Sequence, residues 1–226
     1  MAISLSMKAW LWLGALALVL GALIFGAAGD LRFWQGWTFL AVFFGASALV
    51  TRYLIANDPA LLERRVNGGP TQETEPTQRL IMAVMSLGFV GLMVVPGLDH
   101  RFGWSQASPL VALAGDVLVA VGFFANFLVF KENSFASSTI GVSEGQTVIS
   151  TGPYAIVRHP MYAGAVVYLL GTPLALGSYW GLVILAAMAP FLIWRLVDEE
   201  RVLEQRLRGY SDYKRTVRYR LAPGVY

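Results

Sequence analysis

Two groups of side chains able to do chemistry stand on either side of an uncharged run from Pro160 to Trp194. The first is Tyr154, Arg158, His159 and Tyr162, set in Gly152-Pro153-Tyr154-Ala155-Ile156-Val157-Arg158-His159-Pro160-Met161-Tyr162-Ala163-Gly164. The second is Glu199-Glu200, followed by a tail in which tyrosines alternate with lysine and arginine. Carboxylates suit an ammonium group or ribose hydroxyls, and arginine suits a carboxylate or phosphate. Histidine moves protons near neutral pH, and aromatic faces take a base or a cation. Together these types describe a site for a polar, charged small molecule.

The elements that must position them are membrane helices. The chain has 226 residues, of which 56% are hydrophobic and only 14% charged, too little charge to cover a soluble domain. Uncharged windows cover 9–29, 33–51 and 80–98, and a fourth, 107–130, is interrupted only by Asp116. Each has the length of a span across about 30 Å of hydrocarbon. The region 159–194 is too long for one span, and Gly177-Ser178-Tyr179 breaks it near its middle. It reads as a hairpin of two short helices, 161–176 and 180–195. Gly152-Pro153 reads as a turn and Pro160 as the first residue of the hairpin's first helix, with free N–H groups there suited to an anionic group of a ligand. The fold expected is all-α: a polytopic transmembrane bundle of five to six spans, a single membrane domain. Residues 1–130 would form a four-helix scaffold, and 131–226 the cofactor-binding loop, hairpin and cytoplasmic amphipathic tail.

Charge tests this topology. With six crossings, Arg32 and Arg101 are the only two of the 17 lysines and arginines left on one side. The rich side is cytoplasmic under the positive-inside rule, which puts both termini there. Because a hairpin returns its ends to one side, the two clusters are neighbours at the cytoplasmic mouth of the bundle. A charged cofactor would reach them from water and an apolar substrate from lipid. The absence of cysteine excludes disulfides, thiolate metal sites and cysteine nucleophiles. The two histidines fall on opposite sides of the membrane, so no metal site is expected. Topology accounts for the basic residues, which leaves no case for nucleic acid. Nothing in the chain sets an oligomeric state.

Other features have plainer roles. Lys8 and the apolar run after it read as a membrane anchor. Trp10, Trp12, Trp34 and Trp37 read as an interfacial belt. Residues 57–79 form a polar loop in which Leu61-Leu62-Glu63-Arg64-Arg65 makes a short interfacial helix. Gly68-Gly69-Pro70, Glu73 and Glu75 are its solvated part. Residues 135–150 read as irregular. In the fourth window Asp116 is an intramembrane carboxylate, costly enough to be a functional candidate, with Asn126 further along. After the hairpin, 195–208 reads as an amphipathic helix capped by Gly209. On it Leu196, Glu200, Leu203 and Leu207 share one face, and Glu199 is spaced to pair with Arg195.

The ordered pair of motifs, Gly152-Pro153-Tyr154 with Arg158-His159-Pro160-Met161-Tyr162 and Gly164, then Glu199-Glu200, Leu203, Tyr210, Tyr213 and Pro223-Gly224, resembles the isoprenylcysteine carboxyl methyltransferase family. That family is similar in turn to the phospholipid N-methyltransferases. The resemblance covers about residues 130–226. It implies an integral membrane, S-adenosylmethionine-dependent methyltransferase. The acceptor would be lipophilic, a prenylcysteine-like carboxylate, a lipid amine or another apolar nucleophile entering from the bilayer lipids. It implies a prokaryotic plasma membrane as the setting. Carried onto this chain, the cofactor-binding positions are Tyr154, Arg158, His159, Pro160, Tyr162, Gly164, Glu199 and Glu200, with Tyr213 and Arg218 after them. A carboxylate acceptor needs no base; an amine, thiol or phenol must shed a proton, a task for His159 or Glu200. In the prenylcysteine enzymes an arginine in the preceding helix is thought to hold the substrate carboxylate. Here Asp116 takes that place, which suits an amine or other cationic acceptor.

Two other readings use the same residues. Arg158-His159-Pro160 before a hairpin, with the ending from Tyr219, also resembles the sterol-type reductases, which use NADPH. A membrane scaffold or transporter would bind neither cofactor.

Overall fold

The computed structural model describes residues 3–68, 76–136, 140–143 and 145–225. Among them the fold is all-helical. Its elements are α1 (Leu5–Ala28), α2 (Trp34–Asn57), α3 (Pro59–Asn67), α4 (Pro76–Phe102), α5 (Pro109–Glu132), α6 (Pro160–Ala175), α7 (Trp180–Arg206) and α8 (Tyr210–Thr216), with a 3-10 turn at Gly152–Ala155 before α6. Helices α1, α2, α4, α5 and α7 are long and apolar enough to cross a membrane, and α6 is a shorter apolar helix. The protein is a multi-pass integral membrane protein. Trp10, Trp12, Trp34 and Trp37 are exposed on its surface. Gly69-Pro70, Glu73 and Glu75 lie outside the described residues.

Helix ends follow local chemistry. Asp58 caps α3 by accepting from the Leu61 amide at 2.9 Å, with Pro59 in the first turn, where its missing N–H costs nothing. Ser108 caps α5 in the same way. Gly29, at φ 65°, ends α1 through its amide to Phe25 O, a left-handed conformation glycine takes without strain.

The bundle is tightest between α5 and α6. A Cβ at Gly115 would lie 2.1 Å from the Ala175 amide nitrogen, and one at Gly122 would lie 2.6 Å from the Tyr168 nitrogen. Gly164 and Gly171 answer from α6. Small residues thus bring two backbones into contact, which in lipid replaces the missing hydrophobic drive between helices. The close packing fixes the start of α6 against the last turns of α5. At the opposite end, Asp99 accepts from the Ser105 amide (2.6 Å), the Ser105 hydroxyl (2.5 Å) and the Ser178 hydroxyl (2.5 Å). That ties the end of α4 to the α6–α7 turn.

Two expectations about the hairpin are corrected. Its second arm is not short: α7 runs unbroken for 27 residues, roughly 40 Å at about 1.5 Å per residue. It merges the expected 180–195 arm with the expected 195–208 helix. The change at Arg195 from apolar to amphipathic is a change of surroundings, not of backbone, and no glycine or proline falls between Phe191 and Arg206. Only α6 is short, its 16 residues reaching roughly 24 Å, less than the ~30 Å hydrocarbon layer. Gly209 does not cap α7, which closes at Leu207. At φ 87° it opens α8 instead.

Candidate active site

The first cluster is placed by the turn into α6. Pro160 starts the helix and His159 stands at the cap position. The tail crosses over this turn and holds it. The Arg158 amide donates to Tyr219 O (2.9 Å), and the His159 amide donates to Arg220 O (3.0 Å). The Tyr213 hydroxyl donates to Tyr154 O at 2.7 Å. Loop, helix and tail are thereby one unit.

Glu200 is the hub beneath it. Its Oε1 accepts from Arg158 Nε at 2.7 Å and meets His159 Nε2 at 3.2 Å. Its Oε2 accepts from Arg220 Nε at 3.0 Å. Arg158 Nη1 also donates to Val217 O (2.9 Å) and Arg218 O (2.7 Å). Arg158, His159 and Glu200 are all buried. A buried carboxylate is tolerable only with its lone pairs satisfied by donors of this kind. Since a carboxylate only accepts, His159 Nε2 carries the hydrogen of its bond. The other ring nitrogen, Nδ1, makes no hydrogen bond among the described residues.

Above the hub lies a cleft open to solvent, with a cavity volume of about 90 Å³. Tyr154, Arg158, His159, Pro160, Tyr162, Glu199 and Tyr213 all line it. Sequence reasoning therefore brought seven of its candidates to one wall. Glu199 faces the cleft and accepts from the Tyr162 hydroxyl at 2.5 Å. Arg195, spaced to pair with Glu199, donates from Nη1 to Gln78 Oε1 at 2.9 Å and also interacts with Tyr162.

The remaining candidates are elsewhere. Glu200 sits behind the wall. Gly164 packs on α5, where a Cβ would lie 2.4 Å from Asn126 Oδ1. Arg218 contributes its backbone carbonyl to Arg158 while its side chain is exposed. Asp116 is buried near the far end of α6, beside the Gly115–Ala175 contact, roughly 22 Å along α6 from His159 at about 1.5 Å per residue.

The cleft also contains residues outside the candidate set, of which Leu203 and Tyr210 belong to the second motif and Leu207 to the apolar stripe. Asn133 and Phe135 come from the end of α5 and the loop after it, Gln146 to Ile149 from the loop, and Leu203, Leu207 and Tyr210 from α7 and α8. Leu203 and Leu207 were legible as an apolar stripe. The loop residues carried no signal. Asn133 Nδ2 donates to the Tyr154 hydroxyl at 2.7 Å. Burial pushes the Tyr154 phenol up to about 12, opposed by the Asn133 bond and aided by Glu199. Burial, with Glu200 and Glu199 adding to it, raises Tyr210 as well, and burial raises Tyr213. All three are neutral hydroxyls at physiological pH. The Tyr210 hydroxyl is buried without a hydrogen-bond partner among the described residues.

Residues 110–208 match the phospholipid methyltransferase family. The match takes in α5, the loop, the hairpin and the extension that carries Glu199 and Glu200. Over this segment the chain is similar to a family of membrane methyltransferases, the relationship to which its two motifs point. No curated protein matches the chain.

Proposed function

We propose that this protein transfers a methyl group from S-adenosylmethionine to a lipophilic acceptor at the cytoplasmic face of its membrane. The observation that carries the reading is the single cleft joining both motif clusters. Its polar groups suit the donor. Glu199 is a carboxylate for an ammonium group or ribose hydroxyls. Arg158 lines the cleft and its Nη2 makes no hydrogen bond among the described residues, which leaves a donor for a carboxylate. Tyr210 supplies an orphaned hydroxyl, the kind of buried group that a ligand completes. Tyr154 and Tyr162 supply aromatic faces for a base or a sulfonium.

When bound, S-adenosylmethionine supplies a methyl group already activated for displacement. An acceptor's lone pair would displace the sulfonium sulfur from that carbon, the carbon–sulfur pair returning to sulfur and leaving S-adenosylhomocysteine. The chain's share is positioning, worth roughly 7–11 kcal/mol where the reacting atoms are held at attack distance. Glu200 contributes by locking Arg158 and His159 in place, and His159, which lines the cleft, is the residue to take a proton where an acceptor must shed one. The tail's Lys214, Arg215, Arg218 and Arg220 do not line the cleft, so the basic tail offers the 2′-phosphate of NADPH no contact there.

Calorimetry on the full chain in detergent tests this. S-adenosylhomocysteine should bind, and Glu199→Ala should weaken it about tenfold, the scale of one hydrogen bond to a charged group. Binding of NADPH in its place would overturn the reading.

A further inference from the structure

A second cavity opens between helices of the bundle, and one of its residues, Arg65, touches Met161 of the cleft. It is open at the surface, has a cavity volume of about 400 Å³ and is bounded by residues of α1 to α6. Most of its wall is apolar, but Ser47, Thr51, Arg65, Asn126 and Tyr168 are not, and of these Arg65 alone carries a charge. Asn126 is only 9% exposed, and its Oδ1 has no partner among the described residues. No aspartate or glutamate lines the chamber among the described residues.

Arg65 is unusual in its company. Its guanidinium carbon sits 4.3 Å from the centre of the Phe130 ring, and Nη1 touches Met161 Sδ at 4.0 Å. Neither contact neutralises a cation, and no carboxylate pairs with it among the described residues. Arg65 is half-buried, and its partial desolvation lowers its guanidinium below the usual arginine value. A cation at the edge of hydrocarbon without a counter-ion is costly. The cost falls when a ligand brings the opposite charge. Met161 lines the cleft as well, so Arg65 stands where chamber and cleft adjoin. On the rim, Trp12 and Leu16 are exposed on the lipid-facing surface, which gives an apolar chain a lateral way in.

We propose that this chamber holds the methyl acceptor and that Arg65 selects an amphiphile with an apolar chain and an anionic oxygen group, a carboxylate or a phosphate. The role of acceptor rests on the methyltransferase reading; the anionic amphiphile site does not. The apolar chain fills the wall from Leu13 to Phe89, the anion meets Arg65, and the polar end lies toward Met161 and the cleft. This reverses the cationic acceptor expected from Asp116, which faces neither cavity.

The test is competition binding on the full chain in phosphatidylcholine nanodiscs. Hexadecanoate, hexadecyl phosphate, hexadecylamine and hexadecanol would each displace a pyrene-labelled fatty acid. Either anion, or both, should bind at least about tenfold more tightly than the amine and the alcohol, as one charge-assisted contact provides. Arg65→Gln should erase the preference, Arg65→Lys should keep part of it, and both should leave S-adenosylhomocysteine affinity within about twofold. Leu13→Trp, which fills the chamber without touching Arg65, should abolish amphiphile binding, and it serves where Arg65→Gln does not fold. Equal binding of anion, amine and alcohol, or an anion preference indifferent to both Arg65→Gln and Leu13→Trp, overturns the proposal. An Arg65-dependent preference in a chain that does not bind S-adenosylhomocysteine would sink the methyltransferase reading and leave the amphiphile site standing.

Discussion

Glu199 and Glu200 are neighbours in sequence, yet a helix turns about 100° between them, and that rotation divides their labour. Glu199 opens onto the cleft, while Glu200 is closed in by Arg158, His159 and Arg220. Removing the buried carboxylate strands the Arg158 guanidinium, a loss of roughly 3–5 kcal/mol for a buried pair. Glu200→Ala should therefore lower the unfolding temperature sharply, whereas Glu199→Ala should leave it near that of the parent and weaken donor binding instead. Thermal unfolding in detergent beside calorimetry separates the two; an equally mild Glu200→Ala would refute the hub. His159 offers a second reading at this scale. An anionic acceptor gives up no proton, so His159→Gln should keep kcat within about tenfold, where a lost general base costs roughly a hundredfold or more. A hundredfold fall in kcat, with the alkaline arm of the pH profile retained, would instead make the acceptor protonated. At this scale the sequence was informative about residue types and clustering. It could not distinguish a lining carboxylate from a buried one, because that depends on what the tail places over Arg158.

At the scale of elements, the site depends on how closely α5 and α6 approach, because Asn133 and Tyr154 meet only if these helices keep their register. The contact at Gly115 is with backbone, which cannot swing aside. Gly115→Ala should destabilise the fold by about 1–3 kcal/mol, the usual cost of overpacking. At Gly14 on α1 an added Cβ would meet nothing within 4 Å, so Gly14→Ala should be neutral or stabilise by up to about 1 kcal/mol through helix propensity. Chemical or thermal unfolding of both variants in one detergent checks the contrast. The helices themselves were legible as uncharged windows, and Pro160 as the first residue of the hairpin's first helix. The continuity of α7 was not, since a shift from lipid to water changes the residue pattern without bending the chain. The chamber was also hidden: Arg65, Asn126 and Tyr168 come from three helices, and Arg65 and Met161 are 96 positions apart.

For the whole molecule, the reading requires the cleft to face the compartment that holds a soluble methyl donor. Charge supplies the argument. The basic side carries α3, the loop before α6 and the tail, whereas Arg32 and Arg101 flank the opposite ends of α1 and α4. Positive segments stay cytoplasmic during insertion, so Ser211 on α8 and Asp30 in the α1–α2 turn should lie on opposite faces, Ser211 within. The chain has no cysteine of its own, so Ser211→Cys and Asp30→Cys each introduce a single thiol at an exposed position. A membrane-impermeant maleimide should label Ser211→Cys in inverted vesicles and Asp30→Cys in right-side-out vesicles. Labelling of both from the same side would mean that α6 and α7 do not together return the chain across the membrane. The two motif clusters would then stand on opposite faces, and the cleft that joins them could not form.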